Sequence, residues 1–414
     1  MKGIVVVIFS IVIIGALLLG GCAAPTPAPT PTPAPSPAPA PAPAPLPPIK
    51  IGHIRSLTGP TAITNAAMVR GFDVAMDLAK YQAGGRKIEV ILEDDAGKAE
   101  LAVDKARKLI EQDKVAAIVG PTLAGLQMGI STYMNGVGIP NIHSNSSPYG
   151  IVAQKHKWTI QAGGTQQQVP SVNGKYAVEK RNIKKISVVG EDTAAGRQYV
   201  GAFLEGFKRA GGEIIQEQWV PQGSADYAPY FTAVKPAEAC IAWTSGNDSV
   251  KFLNQYFEYG MWDKMPLIPA FQGAILEGFI LAQLQPKAAE ACLGITVAAD
   301  YTPLFENPGN KKFVEAYKAK HNVNPDTAIS NAYNAGLVLL AGLEATKGDT
   351  TPQKLMDAML ALNFDGARGG NIRFDKEKKS AFLDVGIMKL QKLDKEYLLS
   401  LPIFVYKDVP PEGL

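Results

Sequence analysis

Residues 49–95 read IKIGHIRSLTGPTAITNAAMVRGFDVAMDLAKYQAGGRKIEVILEDD, and their pattern decides the fold. Ile49–Ile54, with Ile49, Ile51 and Ile54 set among Lys50, Gly52 and His53, reads as a first strand, and Gly59-Pro60-Thr61 turns the chain. From Ala66 to Tyr81 the apolar residues Val69, Phe72, Ala75, Met76 and Ala79 fall on one helical face. Gly84-Gly85 is expected to end that helix, since glycine tolerates positive φ. Lys87–Glu93 then reads as a second strand. Strand, helix and strand in this order make a parallel crossover unit, the building block of α/β proteins.

The same alternation continues downstream. Helices are predicted at Glu100–Gln112, Met128–Val137, Gln167–Arg181, Gln198–Ala210, Tyr227–Val234 and Val250–Tyr259. Between them lie strand patterns at Val115–Val119, Pro140–His143, Trp158–Gln161, Lys185–Val189, Glu213–Val220, Ala239–Trp243, Pro266–Ala270 and Leu293–Ala298. Lys311–His321, Ile329–Thr346 and Pro352–Leu360 add three long helices. Near the end, Gly386–Leu390 and Ser400–Val405 alternate about a lysine-rich turn, the pattern of an antiparallel ribbon. A body running from 49 to 414 exceeds the size at which one core keeps growing, so two doubly wound parallel-sheet lobes are expected.

The residues ahead of the body speak of location. Ile4 to Leu19 is a nearly unbroken apolar run behind Lys2, closed by Gly20-Gly21-Cys22. It is short of the ~20 residues that cross a bilayer and has the layout of a secretory signal. Pro then occupies every second position from Pro25 to Pro47. Such a run makes neither helix nor sheet ladder. At ~3.1 Å per residue it would be a stiff spacer up to roughly 80 Å long.

Composition narrows the function. The chain has 414 residues, is 46% hydrophobic and carries a net charge of only +3, with no basic stripe for nucleic acid. His53, His143, His156 and His321 lack metal-ligand spacing, and no Gly-x-Ser-x-Gly elbow, phosphate loop or Cys/His cluster is present. No cofactor is expected. Asp94-Asp95 reads as a strand-end pair ahead of a helix rather than as an acid/base couple. Cys240 and Cys292 sit beside separate strands with Pro266–Phe271 between them, about 9.6 Å apart if that strand intervenes in space. A disulfide spans at most ~7 Å, so none is expected.

The order and spacing of several segments resemble one known family. They are IGHIRSLTGP at 51–60, the strand leading into Gly120-Pro121, Gly138-Ile139-Pro140, Ala332-Tyr333-Asn334-Ala335, and FDGARGGNIRFD at 364–375. Together they resemble the type I periplasmic binding proteins of ABC importers, in the leucine/isoleucine/valine-binding branch, across nearly all of 49–414. The Gly-Gly-Cys22 site likewise looks like a bacterial lipobox. It implies a signal over 1–21, lipid on Cys22 and a tether over 22–48.

The resemblance implies lobes of 49–165 plus 301–369 and of 166–300 plus 370–414, joined by a three-segment hinge that closes on a ligand. Ligands of open α/β sheets bind beyond the carboxyl ends of the strands. That directs attention to the loops Ser56–Asn65, with Thr58 and Thr64, then Gly120–Gly125 and Ser144–Pro148. Thr122, Leu123 and Ala124 open a helix whose N–H groups suit a carboxylate. Ser144 and Ser146, flanking Asn145, fall on the family's carboxylate contacts. Ala124 stands where amino-acid binders often carry Ser, and Thr122 is the available substitute.

The second lobe departs further. Gln272 replaces the acid that pairs a ligand ammonium, Ala195 replaces a tyrosine and Asn247 an aromatic. Burying an ammonium without a counter-charge is costly. The expected ligand is therefore an uncharged polar molecule or a carboxylate lacking an amine, with Trp243, Phe271 and Tyr149 as an aromatic wall. Glu191 and Asp192 are the acids placed to restore the missing charge. The expected protein is a monomeric, non-catalytic extracytoplasmic receptor, lipid-anchored at the membrane and serving an ABC permease. A ligand sensor feeding a signalling partner is the alternative, and an exported enzyme the third reading.

Overall fold

In a computed structural model of the chain, which describes residues 46–273 and 275–414, three sheets organise the body. The expected signal, the expected lipidation site Cys22 and most of the proline-rich run lie outside the described residues.

The first sheet is built on five parallel strands in the order Thr159–Gln161, Asn141–His143, Ala117–Val119, Ile49–Arg55 and Arg86–Asp94. Ile49–Arg55 pairs on one side with Arg86–Asp94 and on the other with Ala117–Val119. The winding reverses there, so the loops after these strands diverge and leave a crevice. The second sheet is parallel throughout, ordered Leu267–Pro269, Ala239–Trp243, Lys185–Glu191 and Glu213–Val220, with the same reversal about Lys185–Glu191. The third is the antiparallel ribbon, enlarged. Leu383–Leu393 pairs with Glu396–Leu399, Phe404–Val409 and Thr296–Ala299.

Three expectations change. Gly84 and Gly85, both at positive φ, form the two-residue turn of a small hairpin between Gln82–Ala83 and Arg86–Asp94. The helix Ala62–Leu78 has already ended, so the glycines serve the strand pair. Its buried face is also shifted: Phe72, Ala75 and Met76 are buried, whereas Val69 and Ala79 are half-buried. Further on, Asn371–Asp375 and Ser380–Ala381 extend the edge of the first sheet. The chain therefore passes to the third sheet between Ala381 and Leu383, beyond residue 370.

Helices cover the sheets in pairs. Ala62–Leu78 packs on Thr327–Ala345, and Gln168–Glu179 on Ala194–Arg209. The Thr327–Ala345 helix is apolar almost all round, which is why it lies buried along nearly its whole length. One apolar cluster runs without a break from Phe72 and Met76 to Phe203, Trp243 and Phe271, so the parts of the body are pressed together. Cys240 and Cys292 are both free thiols buried in that body.

Arg368, from the 364–375 motif, fastens two of the crossings between sheets. It donates to the Ala162 carbonyl at 3.1 Å and to Asn331 Oδ1 at 2.7 Å, and its Nε lies 3.3 Å from Asp300 Oδ2. Ala162 follows the last parallel strand of the first sheet, and Asp300 follows the strand Thr296–Ala299. The third crossing is held by Gln168, which donates to the carbonyls of Ala381 and Val409.

Candidate functional site

The strand Ile49–Arg55 is buried over nearly its whole length, and its last residue is a fully buried arginine. Arg55 donates through Nε to His53 Nε2 at 2.7 Å, and through its terminal nitrogens to Thr122 Oγ1 at 2.8 Å and Ser144 Oγ at 2.7 Å. These partners are neutral, and among the described residues no carboxylate lies within ion-pair distance of it. Burial lowers the guanidinium to about 9, with Asp95 offsetting part of that effect, so it still carries its charge at neutral pH. Burial also holds His53 well below the usual histidine range, which leaves its Nε2 able to accept.

The loops around Arg55 are shaped to reach it. Gly120 has φ +106°, and a Cβ there would stand 2.2 Å from the Ile54 carbonyl oxygen. Only glycine lets the strand end turn this tightly. The turn presents Thr122, whose hydroxyl accepts from Arg55 and donates to Asn65 Oδ1 at 2.6 Å. Ser144 accepts from Arg55 and keeps its own hydroxyl proton free to donate. Beside it, burial depresses His143 to about 3, and the neutral ring lies 3.1 Å from Ser147 Oγ.

Facing these loops is an aromatic stack. Tyr199 lies parallel to Phe271, ring centroids 4.6 Å apart, and 5.0 Å from Trp243. Ser146 and Gln166 lie near its hydroxyl, and burial pushes it up to about 12. Trp243 donates from Nε1 to the Gly273 carbonyl at 3.2 Å. Gln272 donates to Thr327 Oγ1 at 3.2 Å, while its buried Oε1 has no partner among the described residues. The two halves also touch at their rims: a Cβ on Gly246 would lie 2.6 Å from the Pro60 carbonyl oxygen.

Of the residues singled out in the sequence, Thr122, Ser144, Ser146, Trp243, Phe271 and Gln272 thus stand buried around this junction. Thr64 and Ala124 are buried as well. Asn145 is half-buried, and Ala195 packs half-buried on the main core. Tyr149, expected in the aromatic wall, is half-buried at the start of the short helix Tyr149–Ala153. Leu123 packs instead into the small cluster of Leu126 and Ile130, under the helices Ala99–Glu111 and Ala124–Val137. Thr58 is exposed and donates to Asp94. Asn247 is exposed at the start of the helix Asn247–Glu258.

Neither acid expected to restore the missing charge is free. Asp192 is exposed and pairs with Arg197 at 2.8 Å. Glu191 is buried, accepts from the Ser245 backbone N–H at 2.8 Å and from its hydroxyl, and is pushed by burial up to about 7. The Asp94-Asp95 pair shapes the 56–59 loop, with Asp94 accepting from Leu57 N and Thr58 Oγ1 and Asp95 from Ser56 Oγ.

Two residues of the junction are absent from the sequence-based candidates. Arg55 had a visible signal, a charge closing an otherwise buried strand. Tyr199 had a fainter one, since it lies four residues after Ala195 and so on the same helical face. Among the described residues, no group of three or more His, Cys, Asp or Glu could hold a metal ion, and no helix is long and apolar enough to cross a membrane.

Comparison with known proteins gives a consistent result. A family model described as periplasmic binding protein matches residues 48–395. A Leu/Ile/Val-binding protein homolog 6 from Brucella melitensis is 24% identical over 356 residues, covering 84% of this chain and 88% of that protein. Among solved structures, an ABC transporter substrate-binding protein from Sphaerobacter thermophilus is 30% identical with a TM-score of 0.78, covering 87% of this chain and 98% of its own. A solute-binding protein of an ABC transporter from Rhodopseudomonas palustris BisB5, in complex with 3,4-dihydroxybenzoic acid, is 25% identical with a TM-score of 0.79, covering 88% and 98%.

Proposed function

Since the chain belongs to the periplasmic binding protein family of ABC transporters, we propose that it is a lipid-tethered extracytoplasmic receptor for an amine-free carboxylate with a flat aromatic body. The ligand is held between two lobes and delivered to an ABC permease. Lobe one is the first sheet with its helices, and lobe two the second and third sheets. Cys22 carries the anchor, and the proline-rich run holds the body away from the membrane.

The observation that carries this reading is Arg55. A buried guanidinium whose hydrogen-bond partners are all neutral leaves a positive charge without a paired counter-ion at Thr122 and Ser144. Such a site favours an anion, and a carboxylate matches its hydroxyl donors. Tyr199, Phe271 and Trp243 supply flat apolar surface for the remainder. Gln272 offers no charge for an ammonium. The dihydroxybenzoate bound by the Rhodopseudomonas relative belongs to the same chemical class.

The test is a thermal-shift screen of the body from Ile49 onward. Benzoate, 4-hydroxybenzoate and 3,4-dihydroxybenzoate are compared with benzamide and with leucine, isoleucine and valine. A cleft ligand at a thousandfold excess over its Kd stabilises by ~4 kcal/mol. Stabilisation by aromatic carboxylates but not by benzamide supports the reading. Stabilisation by the branched amino acids alone refutes it.

A further inference from the structure

Close to Gln272 lies a small chamber of about 10 Å³, room for one water-sized group, lined by Glu277, Tyr301, Asp326 and Thr327. The two carboxylates exchange helix caps. Glu277 immediately precedes the short helix Gly278–Leu281, yet its Oε2 accepts from the N–H of Thr327 at 3.2 Å. Asp326 immediately precedes the helix Thr327–Ala345, yet its Oδ2 accepts from the N–H of Phe279 at 3.3 Å. Thr327 also accepts from Gln272. The 272–279 segment follows the second sheet, whereas the 327–345 helix packs on the first sheet's Ala62–Leu78. These bonds therefore join the two halves of the body.

Two buried acceptors in the chamber, Gln272 Oε1 and Glu277 Oε1, have no donor among the described residues, and the Tyr301 hydroxyl, itself a donor, is buried and likewise without a partner. The surrounding charges make matters worse for two ionised acids. Asp300 lies near Glu277, and Glu396 near Asp326. The phenols of Tyr301 and Tyr317 stand close by. Of the nearby cations, Arg70 bonds the Tyr317 hydroxyl and Arg368 pairs with Asp300, while Lys395 lines the adjoining cavity that Asp326 and Glu396 also border.

We propose that Glu277 and Asp326 form a proton-dependent latch between the two halves, closed while the pair holds a proton and released when both carboxylates ionise. The inference rests on the hinge closure of the proposed function but not on its ligand. Burial raises both acids, with each near other acidic groups. The sign follows from linkage. The closed pair binds a proton that the open, hydrated pair gives up, so closure is favoured at low pH. It weakens as pH rises from the ordinary carboxylate range through the raised values.

Amide hydrogen exchange of the full chain, without added ligand, tests this directly. Protection at 277–280 and 326–329, corrected for intrinsic exchange, should fall with rising pH between about pH 5 and pH 8, by up to about tenfold per pH unit for one proton. Glu277→Gln and Asp326→Asn should each flatten that dependence, and the strand Lys185–Glu191 should stay protected throughout. A wild-type profile independent of pH overturns the latch. So does the same fall in both variants, or a fall shared by Lys185–Glu191. Because no carboxylate ligand is present, failure here leaves the ligand assignment to its own test.

Discussion

Replacing Arg55 by methionine separates what the guanidinium costs from what it does. Lowering an arginine from 12.5 to about 9, at about 1.4 kcal/mol per pH unit, means that holding the charge costs roughly 5 kcal/mol. The side chain is fully buried, so solvent does not reduce this. Methionine removes the charge and fills much of the space beside Met68. Against that gain, His53, Thr122 and Ser144 lose their donor, at about 1–3 kcal/mol for each group left unsatisfied. The opposing terms largely offset each other, so Arg55→Met should unfold in urea within ~4 kcal/mol of wild type. Its response to aromatic carboxylates should nevertheless collapse. Loss of a charge-assisted contact worth about 3 kcal/mol weakens binding more than about a hundredfold. Calorimetric titration with 4-hydroxybenzoate alongside urea unfolding gives both quantities. A variant that binds like wild type refutes the anion-site reasoning. One that loses well over about 5 kcal/mol of stability shows Arg55 to be structural.

Arg368→Met should behave in the opposite way, because it leaves the buried Asp300 unpaired; a loss of about 3–5 kcal/mol is expected in urea unfolding. Gly120→Ala forces a Cβ against the Ile54 carbonyl at positive φ, and thermal unfolding should show a loss of at least ~3 kcal/mol. His143 is held neutral to about 3, whereas the unfolded chain protonates near ~6.5. The unfolded state therefore binds more protons between those values, and stability should fall as pH drops below ~6.5. His143→Asn should show a shallower acid limb in Tm measured from about pH 7 to pH 4.

Much of this protein is readable along the chain because its elements are local. The alternation of buried strands with amphipathic helices specifies an α/β body, since side-chain periodicity is set by backbone geometry alone. The loops of Thr122 and Ser144 are reachable too, because open sheets place sites after their strands. The edge is harder. Gly84-Gly85 suits a helix end and a hairpin turn equally, and only the pairing of Gln82–Ala83 with Arg86–Asp94 selects the turn. What the tertiary structure alone decided is which distant groups meet. Arg55 meets Ser144 across 89 residues, Arg368 reaches Ala162 across 206, and Glu277 caps a helix that begins 50 residues later. No local pattern encodes those encounters. They arise because burying the sheets' apolar faces leaves each polar group to find its partner in space.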